Sequence, residues 1–411
     1  MKKEHPHKST ILYQTYLFRQ LTLYYCLYAN TLILTGCGEK KRHIDDLVTI
    51  DLGTTYPKLD IHLQDFMDIE YIPLDNSDEF LCQGKVRAID NNIIVVTNRN
   101  DDGDIFIFDH TGKGIKKINR KGQGTGEYTQ ILNILLDKEH DELLVVMHKR
   151  FLVYDMNGIF KRSLKYMDNA YYYDMYNYDR DNWICYITYH LDDNITEEHH
   201  AFSIISKHDG SINREIPIWT KSIRTPVMSI NYVNISDTQI SEPVTVVPNV
   251  RTIVPDHAGW ILQNMSSDTI FRYSPEKTLV PILTRTPSIH DMQPEVFLFP
   301  RNITDRYIFI ETIKKEWNIS KMSGFPTTAL AYDRKENGIY EYEIYNDDYD
   351  NSKISMATQP VNEEIATYHV YEAHKLVEAC ANGQLKGKLQ EIAYTLNEED
   401  NPIIMLIKHK K

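Results

Sequence analysis

The sequence predicts an all-β protein built as a propeller, and a repeated strand-turn-strand unit is the main observation behind this prediction. Residues 104–128 begin with alternating apolar and polar residues, turn at Thr111-Gly112 and resume as a second strand. The aromatic-Asp-x-x-Gly unit returns in 151–164, where Gly158 follows Gly112 by 46 residues. The 28 tyrosines among 411 residues, together with many Val and Ile residues, also favour strands.

Successive strand patterns predict four-stranded antiparallel blades along most of the chain. The first blade is predicted within 88–118, the second within 131–164 and the third within 171–218. Beyond Trp219 the pattern becomes looser. The fourth blade is predicted from Val244–Val247, Gly259–Leu262, Thr269–Tyr273 and Leu279–Leu283, and the fifth from Tyr307–Ile310, Thr327–Tyr332 and Gly338–Tyr345.

The C-terminal part predicts helices followed by one last strand. Helical spacing over 363–381 and 385–396 predicts a helical insertion at about 363–397. The apolar run Ile403–Ile407 is then expected to pair with N-terminal strands as a sixth blade. We therefore predict that residues 53–411 form one six-bladed β-propeller, whose closure removes the open sheet edges.

The N-terminus has the pattern of a secretory signal of the lipoprotein type. A basic leader, an apolar core at 21–34 and Leu34-Thr35-Gly36-Cys37 predict a signal peptide over 1–36. This ending resembles a bacterial lipobox, which implies cleavage before Cys37 and acylation of its sulfur. Residues 37–52 are then expected to be a tether that anchors the protein to a membrane without spanning it. The alternative is an ordinary signal peptide with a cysteine near its end.

Charge and cysteine spacing exclude several classes of protein. A net charge of −13 without a basic stripe disfavours binding to nucleic acids. The remaining cysteines of the body, Cys82, Cys185 and Cys380, are far apart and lack CxxC spacing. They therefore support neither a disulfide framework nor a zinc site. The glycine-rich loop at 122–126 fits no phosphate-binding motif, and we predict no cofactor.

Several stretches carry a resemblance to a known family. Gly122-Gln123-Gly124-Thr125-Gly126-Glu127-Tyr128 resembles the Gly-x-Gly-Pro-Gly-Glu-Tyr signature of six-bladed β-propeller lipoproteins of Bacteroidetes, and 399–408 is similar to their C-terminus. Thr125 departs from the usual Pro, which should loosen the loop. The resemblance implies a TolB-like or NHL-like propeller at the outer membrane, on its surface or periplasmic side. It implies no particular activity.

Two groups of residues are candidate ligand-binding positions. Arg120, Glu127 and Tyr128 beside the glycine-rich loop would bind a ligand if the loop lies at the propeller mouth. Tyr171 and Tyr173 belong to a tyrosine-rich stretch with interspersed Asp and Asn, a composition that suits stacking on sugar rings. In the alternative interpretation, the glycines only allow a tight connection, and the tyrosines fill the layers between blades.

One loop partly mimics a calcium site. Asn98, Asn100 and Asp102 place oxygen-bearing side chains at alternate positions before Gly103, as an EF-hand loop does. The loop lacks the bidentate Glu at its end and continues into a strand. An Asp-Gly hairpin turn is therefore the preferred interpretation, and we predict no metal site.

Two classes of function remain open from the sequence. The first is a non-catalytic module, anchored in the cell envelope, that binds a glycan or an envelope protein. The second is a hydrolase or lyase that acts on carbohydrate or peptide at the central channel. Fold class alone does not distinguish a binding propeller from a catalytic one.

Overall fold

The structure is a computed structural model. It describes residues 47–165, 167, 170–189, 199–220, 223–230, 244–318, 321, 323–358 and 360–410. The predicted signal peptide (1–36) and the lipidation site Cys37 lie outside the described residues. None of the helices in the described part of the chain has the length and hydrophobicity of a membrane-spanning segment.

The described N-terminal segment adds strands to the outer edges of three blades. It contains β1 (Val48–Asp51), β2 (Lys58–His62), the short helix α1 (Leu63–Phe66) and β3 (Met67–Pro73). β1 and β2 pair in parallel with the outermost strands of the fourth and fifth blades. The tether predicted over 37–52 therefore ends earlier, because β1 is part of a sheet.

The first three blades follow the predicted pattern and are four-stranded antiparallel sheets in simple sequence order. Blade one contains β4 (Lys85–Ile89), β5 (Ile93–Thr97), β6 (Asp104–Asp109) and β7 (Gly114–Asn119). Blade two contains β8 (Asn133–Asp137), β9 (Glu142–Val146), β10 (Arg150–Asp155) and β11 (Phe160–Lys165). Blade three contains β12 (Ala170–Asn177), β13 (Asn182–Tyr189), β14 (His199–Ser206) and β15 (Ile212–Thr220).

The repeated Asp-x-x-Gly unit forms the outer hairpin of the first two blades. In blade one the carboxylate of Asp109 accepts the backbone N–H of Thr111 at 2.8 Å, and Gly112 has φ +87°. In blade two the carboxylate of Asp155 accepts the N–H groups of Asn157 and Ile159 at 2.9 and 2.8 Å. The unit recurs because the Asp stabilises a turn that ends in a left-handed glycine.

The fourth blade begins later in the chain than predicted. Val244–Val247 was expected as its first strand, but β16 (Met228–Ile230) and β17 (Val244–Val246) form a separate two-stranded sheet. The blade itself contains β18 (Ile253–Asp256), β19 (Gly259–Leu262), β20 (Thr269–Tyr273) and β21 (Leu279–Thr286). A 3₁₀ turn at Ile289–Asp291 leads to the next blade.

The fifth blade contains the three predicted strand regions and an inner strand that the sequence pattern did not predict. In chain order the strands of this region are β22 (Val296–Ile303), β23 (Tyr307–Lys314), β24 (Trp317–Asn318), β25 (Ser323–Gly324), β26 (Thr327–Asp333), β27 (Gly338–Tyr345) and β28 (Lys353–Ile354). β24 and β25 pair with each other as a separate hairpin. The unpredicted inner strand is β22.

The sixth blade joins the two ends of the described chain. Its sheet has the order β29 (Ile365–Tyr371), β30 (Ile403–His409) and β3, with both pairings antiparallel. The pairing of β30 with β3 confirms the predicted closure. The insertion between β29 and β30 contains α2 (Ala373–Ala381) and α3 (Gly387–Ala393), so the prediction of helix over 363–371 is wrong.

β29 lies next to the axis of the ring and runs antiparallel to β4, the inner strand of the first blade. Asn91 follows β4, and its Nδ2 donates to Oε2 of Glu364, just before β29, at 2.7 Å. The sixth sheet has three strands, so β29 takes the inner position that the first strand of each other blade occupies. The predicted all-β, six-bladed propeller of four-stranded antiparallel blades is confirmed, with this difference in the closing blade.

The core consists of apolar layers between neighbouring blades. Val95, Ile105 and Ile107 of blade one pack against Ile134 and Leu143 of blade two in one buried cluster. Each blade therefore buries both faces, which explains the nearly continuous apolar runs in the middle strands. This packing holds the inner strands around a common axis.

Candidate functional site

The larger of two axial cavities lies where the inner strands of the first three blades end. Its volume is about 1110 Å³, and we call it the wide cavity. Its wall comes from 87–91, 134–138 and 175–179, from the hairpin of the fourth blade, and from 360–364 before β29. Because five blades contribute to the wall, the cavity depends on the closed ring.

An aromatic cluster lines one side of the wide cavity. The rings of Tyr176 and Trp260 are 5.9 Å apart, and those of Tyr178 and Trp260 are 6.3 Å apart. Tyr178 also lies 6.3 Å from Tyr273, which is buried behind it. Tyr178 and Trp260 are only partly buried, so the cavity has an aromatic wall on a rigid support.

Polar groups around these rings are held in defined orientations. Asp256 accepts a hydrogen bond from Nε of Arg272 at 2.8 Å, and Nδ2 of Asn177 donates to the carbonyl of Leu136 at 2.7 Å. The rings of His257 and His409 are 5.2 Å apart. Burial, and secondarily the neighbouring His257, lower the pKa of His409 below its usual value, which favours the neutral imidazole.

A smaller cavity of about 760 Å³ lies at the opposite end of the inner strands, and we call it the narrow cavity. Its wall includes 84–87 at the start of β4, 171–173 at the start of β12, and Arg251 before β18. Val370 and Glu372, at the end of β29, complete the wall. The reversed direction of β29 thus brings its C-terminal end to the strand beginnings of the other blades.

Four side chains line both cavities and form a waist between them: Arg87, Leu135, Met175 and Tyr368. Burial raises the pKa of Tyr368, although Arg251 and Arg87 oppose this effect. The hydroxyl therefore stays protonated at neutral pH. The waist combines two apolar side chains with a guanidinium and a phenol.

The structure places the predicted tyrosines at the narrow cavity. Tyr171 is 39% exposed and Tyr173 is partly buried, with its ring 6.2 Å from that of Tyr186. Both residues line the narrow cavity. Tyr173 also packs against the core cluster between blades three and four, so this residue belongs both to the cavity wall and to the packing between blades.

The residues of the glycine-rich loop line neither axial cavity. Tyr128 is fully buried, and its hydroxyl donates to the carbonyl of Gly103 at 2.7 Å. Nε of Arg120 donates to the carbonyl of Gly158, and Glu127 accepts the N–H of Gly124 at 2.8 Å. These bonds tie the loop to the turns of blades one and two.

The loop considered for calcium is held by its own hydrogen bonds. Nδ2 of Asn98 donates to Asp102 at 2.6 Å, while Oδ1 of Asn98 accepts the N–H of Gln83 at 2.8 Å. The other carboxylate oxygen of Asp102 accepts the N–H of Asp104 at 3.0 Å, and Asn100 contributes its N–H to Gln83. Within the described ranges, no group of three or more His, Cys, Asp or Glu side chains is arranged for a metal ion.

Sequence reasoning missed several residues that line the cavities. These residues come from three separate regions of the chain: Arg251, His257 and Trp260 lie in or beside β18 and β19, Tyr368 lies in β29, and His409 lies in β30. No spacing rule links them, since they meet only through the ring of blades. The available signal was the single Trp in Gly259–Leu262, an aromatic residue at the start of a predicted strand.

Comparisons with known proteins identify a family and a fold. A family model described as "Domain of unknown function (DUF4934)" matches residues 47–408, most of the chain and nearly all of the described propeller. No curated protein matches the chain. The match covers the six blades but assigns them no activity.

Among solved structures, a protein from Bacteroides fragilis named as a candidate exported protein is similar over 89% of this chain and 100% of its own, with 15% identity and a TM-score of 0.55. Virginiamycin B lyase from Staphylococcus aureus covers 84% of this chain and 100% of its own at 12% identity, with a TM-score of 0.35. The Pan2 WD40 domain of Neurospora crassa covers 76% and 78% at 8% identity, with a TM-score of 0.33. The first of these similarities supports the propeller fold.

Proposed function

The chain belongs to the family described as domain of unknown function DUF4934, and we propose that it is a non-catalytic binding propeller of the cell envelope. The proposed ligand is a glycan, bound in the wide cavity. The observation that carries this proposal is the partly exposed aromatic wall formed by Tyr178 and Trp260.

Carbohydrate recognition needs a flat apolar surface beside oriented polar groups. The rings of Tyr178 and Trp260 offer the surface on which the apolar face of a pyranose stacks. Asn177 and Asp256 lie at the same wall, held by their own hydrogen bonds, and offer partners for hydroxyl groups. A cavity of about 1110 Å³ has room for several sugar units rather than one.

The proposed location follows from the N-terminus. The lipobox-like ending at Cys37 supports cleavage and acylation, which would anchor the propeller to the outer membrane through acyl chains. The name of the similar Bacteroides fragilis protein, which describes it as exported, agrees with an address outside the cytoplasm. Mass spectrometry of the protein from the secreting cell tests this, since an unmodified Cys37 would refute the anchor.

A glycan array followed by calorimetry tests the binding proposal. The soluble form that begins after Cys37 is screened, and the best ligand is titrated into the Trp260→Ala variant. Loss of the stacking surface should weaken binding about tenfold or more. Trp219→Ala is the matched control, because Trp219 is 51% exposed on the outer strand of blade three and lines neither cavity.

Two results would contradict the proposal. One is an array without a ligand, and the other is a Trp260→Ala variant that binds as tightly as the unchanged protein. The acidic side chains of Asp179 and Glu363 also line the wide cavity and keep the hydrolase or lyase alternative open. Turnover of the bound glycan, abolished by Asp179→Asn or Glu363→Gln, would replace a binding role with a catalytic one.

A further inference from the structure

The narrow cavity carries an excess of positive charge in a chain whose net charge is −13. Its wall contains four cationic residues and one acidic residue, namely Lys85, Arg87, Arg99, Arg251 and Glu372. The wide cavity has four cationic and five acidic residues in its wall, namely Arg87, Lys138, Lys277, Lys410, Asp90, Asp179, Asp256, Glu363 and Glu364. The cationic excess is therefore a local property of one end of the channel.

The acidic residue of the narrow cavity is already paired. Glu372 accepts a charged hydrogen bond from Nη2 of Arg99. Arg87 donates only to neutral oxygens in the hydrogen bonds that orient it: the Thr97 hydroxyl at 2.8 Å and the carbonyls of Leu132 and Ile131 at 2.9 and 3.3 Å. The positive charge of Arg87 is thus fixed in place, and no carboxylate of the described residues forms an ion pair with it, although Asp101 lies close enough to interact with this charge.

Arg251 is also incompletely compensated. Its Nη1 lies 3.7 Å from Oδ1 of Asp174, and its buried Nε has no hydrogen-bond partner among the described residues. The other oxygen of Asp174 accepts the N–H of Thr252 at 2.6 Å and that of Ile253 at 3.4 Å. Asp174 is therefore shared with the backbone, and the side chain of Arg251, which is 22% exposed, lines the cavity with a charge that has only this one carboxylate oxygen, at 3.7 Å, as its ion-pair partner among the described residues.

Lys85 adds a third charge at the rim. No acidic side chain of the described residues forms an ion pair with it. Partial desolvation and repulsion from Arg87 lower the pKa of Lys85, although the nearby Asp101 opposes this effect. Cations that converge in a concave site repel each other more strongly than in water, because the nearby protein has a lower dielectric constant. A bound anion would relieve this repulsion and accept charge-assisted hydrogen bonds.

We propose that the narrow cavity binds the oxyanion group of an acidic sugar, a carboxylate or a sulfate ester, through Lys85, Arg87 and Arg251. The sugar ring lies against the partly exposed ring of Tyr171, which forms part of the same wall. This site is separate from the wide cavity, since Lys85, Arg251 and Tyr171 do not line the wide one. The two proposals can therefore fail independently.

Saturation-transfer NMR titrations of the full chain with three monosaccharides test the site. Glucuronic acid, glucose 6-sulfate and glucose share one ring and differ only at C6, where they carry a carboxylate, a sulfate and a neutral alcohol. We expect one or both charged sugars to bind at millimolar concentrations, while glucose does not. The charged sugar that binds identifies the anion, and added salt weakens its binding by screening the charges.

Variants assign the binding to the narrow cavity. Lys85→Gln and Arg251→Gln should each weaken the charged sugar about tenfold, because each removes one charge-assisted contact. Lys388→Gln is the matched control for charge, since Lys388 is exposed on α3 and pairs with Glu391. Because Lys85 is exposed, its variant keeps the test valid even if Arg251→Gln does not fold.

Three results would overturn the inference. The first is that neither charged sugar binds with a dissociation constant below about 10 mM, which corresponds to only about 2.7 kcal/mol of binding free energy. The second is that glucose binds as tightly as the charged sugars. The third is that Lys85→Gln remains folded and binds the charged sugar with unchanged affinity.

Discussion

The junction between the two ends of the ring depends on Asn401, so we expect Asn401→Ala to destabilise the propeller. Asn401 is 3% exposed and lies just before β30. Its Nδ2 donates to the carbonyls of Asp75 and Phe80 at 2.6 and 2.9 Å, and its Oδ1 accepts the N–H of Cys82 at 2.8 Å. One side chain thus joins the C-terminal strand to the segment that leads into blade one.

The expected magnitude follows from these three bonds. A net contribution of about 1 kcal/mol for each gives a loss of about 3 kcal/mol in the free energy of unfolding. Urea unfolding of the soluble form, followed by tryptophan fluorescence, measures this loss as a lower midpoint at an unchanged slope. Asn213→Ala is the matched control, because Asn213 is exposed and donates one hydrogen bond to Asn182 at 2.7 Å. Its effect should stay within about 0.5 kcal/mol.

A second substitution separates lost hydrogen bonds from lost volume. Asn401→Asp keeps an acceptor for the N–H of Cys82 but directs a carboxylate oxygen at the carbonyls of Asp75 and Phe80. At pH 7 it should therefore be at least as destabilising as Asn401→Ala, since a buried, charged carboxylate oxygen that faces two carbonyls and accepts no hydrogen bond is costly. If Asn401→Ala unfolds at the same urea concentration as the unchanged protein, the reasoning about the junction is refuted.

Two further predictions concern a turn and a buried histidine. Gly112→Ala should lower the free energy of unfolding by more than about 2 kcal/mol, because φ is +87° and a Cβ would overlap the carbonyl oxygen of Pro73. A variant that unfolds at the same urea concentration as the unchanged protein would contradict this prediction. The lowered pKa of His409 means that the unfolded chain binds a proton at higher pH than the folded one, so this residue reduces stability as pH falls below about 6.5. His409→Gln should make the midpoint of urea unfolding less dependent on pH between about 7 and 5; an unchanged dependence would show that His409 does not contribute.

The repeating unit and the closure of the ring follow from local features of the sequence. The Asp-x-x-Gly turns at Gly112 and Gly158 are local, since an Asp side chain and a left-handed glycine specify the hairpin within a few residues. The apolar run Ile403–Ile407 identified the closing strand, because a short run without polar alternation fits only a buried position. These features need no knowledge of distant residues.

The course of β29 and the composition of the two cavities depend on contacts between residues that are distant in the chain. Residues 365–371 have spacing compatible with a helix, but they pair with β30 and close the ring as a strand. Lys85, Arg251 and Tyr171 belong to different blades, and their separation along the chain contains no information about their convergence. This difference arises because short-range interactions specify the hairpins of a propeller, whereas its axial sites form only when whole blades pack against one another.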